Sequence, residues 1–140
     1  MKIAVIDYGV GNIGSICNII HSIGYQSTSV KDPCDIGNYS HIILPGVGSF
    51  DNAMLTLTQG GWVDKLELFI DSGKPILGIC LGMQLMTNLS DEGDLSGLGW
   101  IKGTVKSFNS AILDDSRVPH MGWNNLEIKR PGVILEGVKD

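Results

Sequence analysis

Residues 75–89 of the chain are PILGICLGMQLMTNL. The run PILGIC is apolar and of strand length, and the following LGMQLMTNL has the apolar spacing of a helix. A buried strand that passes directly into a helix is the repeating unit of sheets whose parallel strands are joined by helices. These residues therefore predict an α/β fold.

The same order of elements occurs before this segment. We predict strands at Lys2–Asp7, Ser27–Val30 and His41–Leu44, and helices over 13–23, after the loop PGVGSF and at Trp62–Asp71. Asn12 is expected to cap the first helix and Gly24 to close it. The apolar stripe of that helix comprises Ile13, Ile16, Cys17, Ile19, Ile20 and Ile23. The alternation predicts an open, mostly parallel sheet with helices on both faces.

The pattern changes after about Trp100. Short alternating segments, such as GTVKSF and NNLEIK, are typical of antiparallel hairpins. No linker, internal repeat or low-complexity tract divides the chain. We therefore expect residues 1–140 to form a single domain, with antiparallel additions after about residue 100.

The composition limits the class of protein. Of 140 residues, 43% are hydrophobic and 18% are charged, which is typical of globular domains rather than disordered chains. The formal net charge of −5 argues against a binder of nucleic acid or anionic membranes, because no basic stripe is available to neutralise phosphates. No apolar run reaches membrane-spanning length, and the N-terminus enters a strand directly. These features predict a soluble cytoplasmic protein.

The cysteines and histidines do not form a ligand pattern. The three cysteines are Cys17, Cys34 and Cys80, and the three histidines are His21, His41 and His120. An odd number of cysteines without close spacing indicates free thiols rather than a disulfide framework. We therefore expect no metal site and no cofactor.

The pentapeptide GICLG, residues 78–82, matches the nucleophile-elbow pattern G-x-[SC]-x-G at the predicted turn from strand to helix. Such a turn presents the side chain of Cys80 at the carboxyl edge of the sheet, where the following helix favours a thiolate. The backbone N–H of Leu81 would point to where an oxyanion forms. The alternative is that Cys80 is a small buried residue between two packing glycines.

A second glycine-rich loop, ILPGVGSF at 43–50, also follows a predicted strand. Its residues Gly46, Val47 and Gly48 would expose backbone N–H groups at the same edge of the sheet, and so supply a second oxyanion donor. The alternative is an ordinary turn between a strand and a helix. Paired with the elbow, the loop fits a site for acyl transfer.

The motifs of the chain resemble those of a known family. GICLGMQ at 78–84 is similar to the nucleophile motif of the class I, triad-type glutamine amidotransferases. The PGVG loop, PHMGWN at 119–124 and DYGVGNIGS at 7–15 resemble the glutaminase subunits of imidazole glycerol phosphate synthase within that family. The resemblance extends from Met1 to about Gly137, and it implies a flavodoxin-like sheet.

The resemblance implies roles for individual residues. Cys80 would attack the side-chain amide of glutamine, giving a γ-glutamyl thioester and ammonia. Leu81 and Val47 would donate backbone N–H groups to the oxyanion, Val47 only after a peptide flip coupled to the state of a partner. Gln84 and Glu92 would hold the amino-acid end of the substrate, although Glu92 lies in a polar loop where simple solvation is the alternative.

The resemblance also implies a partner, a (β/α)8-barrel cyclase that forms a heterodimer with this subunit and receives the ammonia. The interface residues would be Gly11, Asn12, His120, Met121, Trp123 and Asn124. Met and Trp are favoured at protein contacts. For Trp123 the alternative is a cap on a hairpin of the core.

Residues 9–14 also match G-x-G-x-x-G, with Gly9, Gly11 and Gly14, and Asp32 follows at the distance of a ribose-binding acid. This pattern alone is a weak indication of dinucleotide binding. We interpret it as a coincidence of a glycine-rich first turn.

The family's general base and its orienting acid come from an H-x-E motif near the C-terminus, and residues 1–140 contain no such motif. None of the three histidines is expected to serve Cys80. We therefore expect these residues to be the N-terminal part of a longer domain, and to be inactive or nearly so alone. The alternatives are a non-catalytic module that binds or regulates the cyclase, and a peptidase-like or chaperone-like relative with the same elbow.

Overall fold

The structure is a computed structural model that describes residues 1–108, 122–129 and 132–136. The chain divides into two compact units, Met1–Ser107 and Phe108–Asp140. In the second unit, the described residues include a short 3-10 helix, Val133–Leu135. All the elements below belong to the first unit.

A parallel sheet forms the centre of the first unit. Its strands are β1 (Ile3–Ile6), β2 (Ser27–Val30), β3 (His41–Leu44) and β4 (Ile76–Gly78). They lie in the order β2-β1-β3-β4, and each neighbouring pair is parallel. This is the order of a flavodoxin-like sheet, in which sites form beyond the carboxyl ends of the strands. The predicted α/β class is confirmed.

Four α-helices follow the strands. They are α1 (Ile13–Ser22), α2 (Phe50–Gln59), α3 (Trp62–Asp71) and α4 (Leu81–Leu85), and a 3-10 helix covers Pro33–Asn38. The predicted cap of α1 is confirmed, because Asn12 Oδ1 accepts a hydrogen bond from the N–H of Ser15 at 3.2 Å. Among the residues that the structure describes, none of the helices has the length and hydropathy of a membrane-spanning segment.

The helices bury apolar side chains on both faces of the sheet, as predicted. On one face, Ile3 and Val5 of β1 pack with Ile20 of α1. On the other face, α2, α3 and α4 form the larger cluster, whose fully buried side chains include Phe50, Leu57, Leu66 and Leu85.

The predicted stripe of α1 is wrong at two positions. Ile19 and Ile23 are each 66% exposed, whereas Ile20 is buried. Ile19 lies about 100° from Ile20 around the helix axis, and Ile23 is the C-cap residue beyond the last residue of α1, so neither packs on the sheet as Ile20 does. The apolar spacing alone did not separate these two positions from the buried ones.

The helix predicted over LGMQLMTNL is also only partly correct. Helix α4 ends at Leu85, and a strand, β5, covers Thr87–Ser90. Strand β5 pairs with β6, Ile101–Val105, in a separate sheet of two strands. This pairing gives the backbone N–H and C=O groups of 87–90 hydrogen-bond partners in a distant segment, and it therefore overrides the local helical pattern.

The antiparallel hairpin expected after about residue 100 is wrong for β6, which pairs with β5 in parallel. The connection explains the direction. The N–H groups of Gly97, Leu98 and Gly99 donate to the carbonyls of Asn88, Leu85 and Thr87, so the chain returns along β5 before β6 begins. The segment NNLEIK also contains no strand in its described residues, 124–129.

We predict that Gly14→Ala stabilises the protein by about 0.5–1 kcal/mol, because an added Cβ in α1 reduces the entropy of the unfolded chain. No atom lies within 4 Å of the position of that Cβ, and the φ of Gly14 is not positive. Urea unfolding would measure the change.

The matched control is Gly24→Ala, just beyond the end of α1. Gly24 has a φ of +88° and also meets nothing within 4 Å, so only backbone strain separates the two sites. We expect Gly24→Ala to destabilise by about 1–2 kcal/mol. The same sign for both variants would contradict this interpretation.

Candidate functional site

The turn between β4 and α4 has the geometry of a strained elbow. Cys80 has φ 54° and ψ −121°, and it is the one non-glycine residue with positive φ in the described parts of the chain. Its side chain is exposed. The alternative of a small buried residue between two packing glycines is therefore wrong. Such strain is often found where a fold must present a functional side chain.

The two glycines of the elbow are required by close contacts. A Cβ on Gly78 would lie 2.7 Å from the backbone N of Met83. A Cβ on Gly82 would overlap the carbonyl oxygen of Leu44, at the end of β3. The same oxygen accepts a hydrogen bond from the N–H of Ile79 at 3.0 Å. The elbow is therefore pressed directly against the neighbouring strand.

The PGVG loop lies on the elbow, as the sequence predicted. A Cβ on Gly46 would be 2.8 Å from the backbone N of Gly82 and 2.9 Å from the Cβ of Leu81. Gly48 has a φ of +90°, and Val47 is 55% exposed between the two glycines. Leu81 is the first residue of α4, so its N–H has no acceptor within the helix. The structure thus brings the two candidate oxyanion segments together.

The turn after β1 reaches the same edge of the sheet. Gly11, with a φ of +124°, would place a Cβ only 3.1 Å from the Cβ of Pro45. The hydroxyl of Tyr8 donates to the carbonyl oxygen of Pro45 at 2.8 Å. Burial raises the pKa of the Tyr8 phenol, so the hydroxyl keeps the proton that it donates. The loops after β1, β3 and β4 therefore form one contiguous group.

The third glycine of the dinucleotide-like pattern does not have the expected contact. In nucleotide-binding folds that glycine allows close packing of the helix on the strand. Gly14, however, would place a Cβ with no atom within 4 Å. This observation favours coincidence as the explanation of G-x-G-x-x-G.

The two candidate substrate residues differ in their surroundings. Gln84 is half-buried on α4, and Glu92 is exposed in the loop between β5 and β6. The N–H of Glu92 donates to Ser90 Oγ at 3.1 Å. Two N–H groups further along this loop donate to the carboxylate of Asp51 in the first turn of α2.

Sequence reasoning missed both Tyr8 and Asp51. Tyr8 stands within the quoted DYGVGNIGS and Asp51 directly after ILPGVGSF, so each neighbours a motif that was singled out. The acid in the first turn of a helix is the signal that could have drawn attention to Asp51, although such acids are common for electrostatic reasons alone.

Neither described histidine lies at the elbow. His41 begins β3, and its Nδ1 lies 3.0 Å from Ser40 Oγ. The amino end of β3 is at the opposite edge of the parallel sheet from the elbow. His21 lies on the exposed surface of α1 and accepts a hydrogen bond from Ser27 through Nε2. Both positions agree with the expectation that these residues do not serve Cys80.

Of the predicted interface residues, Gly11 and Asn12 lie in the turn after β1. Trp123 and Asn124 belong to the second unit, where Trp123 is fully exposed in a segment without helix or strand. His120 and Met121 fall outside the described residues.

The described residues contain no cluster of three or more His, Cys, Asp or Glu side chains arranged to hold a metal ion. Cys17, Cys34 and Cys80 are free thiols.

Comparisons with known proteins agree with this geometry. The family model for class-I glutamine amidotransferases matches residues 4–140. A crystal structure of a glutamine amidotransferase superposes with a TM-score of 0.63 at 16% identity, covering 74% of this chain and 55% of that one. At this identity the superposition supports the fold alone.

Curated relatives are more similar in sequence. The chain is 41% identical over 139 residues to imidazole glycerol phosphate synthase subunit HisH of Desulfitobacterium hafniense (strain DSM 10664 / DCB-2), covering 99% of this chain and 64% of the relative. It is 48% identical to subunit HisH 2 of Methanococcus maripaludis, covering 87% and 60%. For HisH of Sulfurimonas denitrificans the identity is 45%, with 99% and 67% covered. The chain thus spans about two thirds of the length of these relatives.

We predict that Gly82→Ala destabilises the protein by about 3 kcal/mol, because the new methyl group would push the elbow away from Leu44. The midpoint of urea unfolding measures this loss.

Gly37→Ala is the control, since a Cβ there meets no atom within 4 Å and its φ is not positive. We expect the control to change stability by less than about 0.5 kcal/mol. Equal stability of the two variants would show that the elbow is not held against β3 in this way.

Proposed function

Because the chain belongs to the class-I glutamine amidotransferase family, we propose that it acts as the glutaminase subunit of an imidazole glycerol phosphate synthase. In this role it hydrolyses glutamine to glutamate and ammonia. The observation that carries the proposal is the exposed thiol of Cys80, held at positive φ beside the PGVG loop.

The proposed chemistry begins with attack of the Cys80 sulfur on the side-chain amide carbon of glutamine. The carbonyl oxygen becomes an oxyanion, to which the backbone N–H groups of Leu81 and Val47 would donate. Collapse of the tetrahedral intermediate breaks the carbon–nitrogen bond and leaves a γ-glutamyl thioester. The general base, which takes the proton of the Cys80 thiol during the attack, returns it to the departing nitrogen, and ammonia is released. Water then hydrolyses the thioester to glutamate.

The PGVG loop suits a switch of donor, since Gly46 and Gly48 flank Val47. A peptide between two glycines meets few steric barriers to rotation. We propose that the Val47 peptide turns toward the oxyanion only in a state that the partner stabilises.

Gln84 and Glu92 are proposed to bind the amino-acid end of glutamine. The carboxylate of Glu92 is exposed and opposite in charge to the substrate's α-ammonium group. The half-buried amide of Gln84 offers both a donor and an acceptor from α4.

The general base is assigned to an H-x-E motif of the family, which residues 1–140 do not contain. Glutamate and ammonia form only if that base is supplied.

The single domain over 1–140 and the cytoplasmic location both stay predictions.

The proposed partner is a (β/α)8-barrel cyclase, which uses the ammonia in histidine biosynthesis and forms a heterodimer with this subunit. The turn after β1 carries the predicted interface residues Gly11 and Asn12, and it lies close to the start of the PGVG loop, since a Cβ on Gly11 would be 3.1 Å from the Cβ of Pro45. A partner that shifts this turn would therefore also shift Val47, through Pro45 and Gly46.

One observation favours a second candidate, a non-catalytic module that binds the cyclase. Neither His21 nor His41 lies at the elbow. Binding to the cyclase without any glutamine hydrolysis by the complex of full-length proteins would support this second function.

We predict that Cys80→Ala lowers glutamine-dependent turnover of the complex by at least about a thousandfold, because no other group replaces the nucleophile. Ammonia-dependent turnover by the cyclase should be unchanged. Both activities are measured from the rate of product formation, with glutamine or an ammonium salt as the nitrogen source.

Cys34→Ala is the matched control, because Cys34 is also an exposed free thiol and is remote in sequence from the elbow. It should leave both activities unchanged. Glutamine-dependent turnover that survives in Cys80→Ala would refute the assignment of the nucleophile.

A further inference from the structure

The carboxylate of Asp51 holds the loop that contains Glu92. Its Oδ2 accepts a hydrogen bond from the N–H of Asp94 at 3.1 Å, and its Oδ1 accepts one from the N–H of Leu95 at 3.0 Å. Both oxygens of one ionised group thus bind two successive backbone donors, and hydrogen bonds to charged acceptors are the stronger kind.

The contact is close enough to restrict the loop's sequence. A Cβ on Gly93 would overlap Oδ1 of Asp51 and lie 2.9 Å from the Phe50 ring. Phe50 is fully buried. The loop therefore rests on the start of α2, and glycine is the residue that permits the contact.

Glu92 is fixed on its other side as well. Its own N–H donates to Oγ of the buried Ser90, and the N–H of Asp91 donates to the carbonyl of Val105 at 2.9 Å. The backbone is thus anchored before and after Glu92, while the Glu92 side chain is exposed.

Asp51 also follows the PGVG loop closely along the chain. Ser49 caps α2, and Asp51 lies in its first turn. One short segment therefore supplies the candidate oxyanion loop and the support for the loop of Glu92.

We propose that Asp51 is a positioning residue, which sets the place of the Glu92 carboxylate relative to the Cys80 elbow and so determines affinity for glutamine. This inference rests on the proposed glutaminase function. In this role Asp51 acts through Glu92, and each of its two carboxylate oxygens accepts a hydrogen bond from the loop.

The alternative explanation of Asp51 is a favourable interaction with the N-terminus of α2. Asp64 provides the comparison, because it occupies the first turn of α3, a helix of the same length. Within residues 1–108 its side chain makes no hydrogen bond to another loop. Asp64→Asn therefore removes a helix-terminal charge without releasing a loop.

The test is steady-state glutamine hydrolysis by the full-length protein with its cyclase. Asp51→Asn keeps the size of the side chain but retains only one acceptor oxygen, so one loop contact is lost. We expect KM for glutamine to rise about tenfold while kcat stays within about twofold. Asp64→Asn should change neither value. A fall in kcat at constant KM, or no change, would overturn the proposal.

A double variant separates positioning from a general loss of stability. If Asp51 acts through Glu92, adding Asp51→Asn to Glu92→Gln should raise KM by less than about twofold beyond Glu92→Gln alone. Multiplication of the two single effects would show that Asp51 acts independently of Glu92, and would overturn the inference.

Hydrogen exchange distinguishes failure of this inference from failure of the proposed function. Whichever of the Asp94 and Leu95 amides loses its acceptor should exchange about tenfold faster in Asp51→Asn than in wild type. If the wild-type protein does not turn over glutamine, the proposed function is refuted. Faster exchange in Asp51→Asn would even then establish that Asp51 holds the loop of Glu92. Unchanged exchange would refute the attachment itself, whatever the activity.

Discussion

The carbonyl oxygen of Leu44 is the contact on which the geometry of the site depends. This oxygen accepts a hydrogen bond from the N–H of Ile79, just after β4 ends. It also lies where a Cβ on residue 82 would be, so that only glycine fits there. A backbone that leaves a strand and starts a helix while touching the next strand has little conformational freedom. The strained φ of Cys80 agrees with this constraint, because only Ile79 and Cys80 separate β4 from α4.

The same constraint extends to the neighbouring loops. The PGVG loop begins at the residue after Leu44, so its path is set where β3 ends, and Gly46 completes the contact with the elbow. Tyr8 then ties this segment to β1 through a buried hydroxyl that remains protonated. The candidate site is thus built from three strand ends that support one another, as the carboxyl edge of a parallel sheet permits.

Charge provides the second kind of connection. Asp51 binds backbone donors rather than a basic side chain, and its two acceptor oxygens match two successive N–H groups. Such a contact fixes both the distance and the orientation of the loop relative to α2, which a surface ion pair rarely does. The loop that carries Glu92 is therefore tied to α2 rather than left to solvent.

Much of the fold could be predicted, because its elements depend on nearby residues. Strands β1, β3 and β4 are short and mostly apolar runs, and Asn12 caps α1 from within the same turn. The mistakes occurred where pairing with distant residues prevailed. Strand β5 replaced the end of a predicted helix, and the path of residues 97–99 gave β6 its parallel direction.

For the site, local patterns in the sequence were enough to predict the reactive and binding groups, namely a cysteine between glycines, a second glycine loop and an acidic loop. These patterns are local, since turns and helix starts are specified by adjacent residues. The close approach of Gly46 to Gly82 became evident only from the folded chain, as did the binding of Asp51 to N–H groups 43 and 44 residues away. Contacts at such separations depend on how strands are ordered and how connections run, and no local pattern of residues encodes either one.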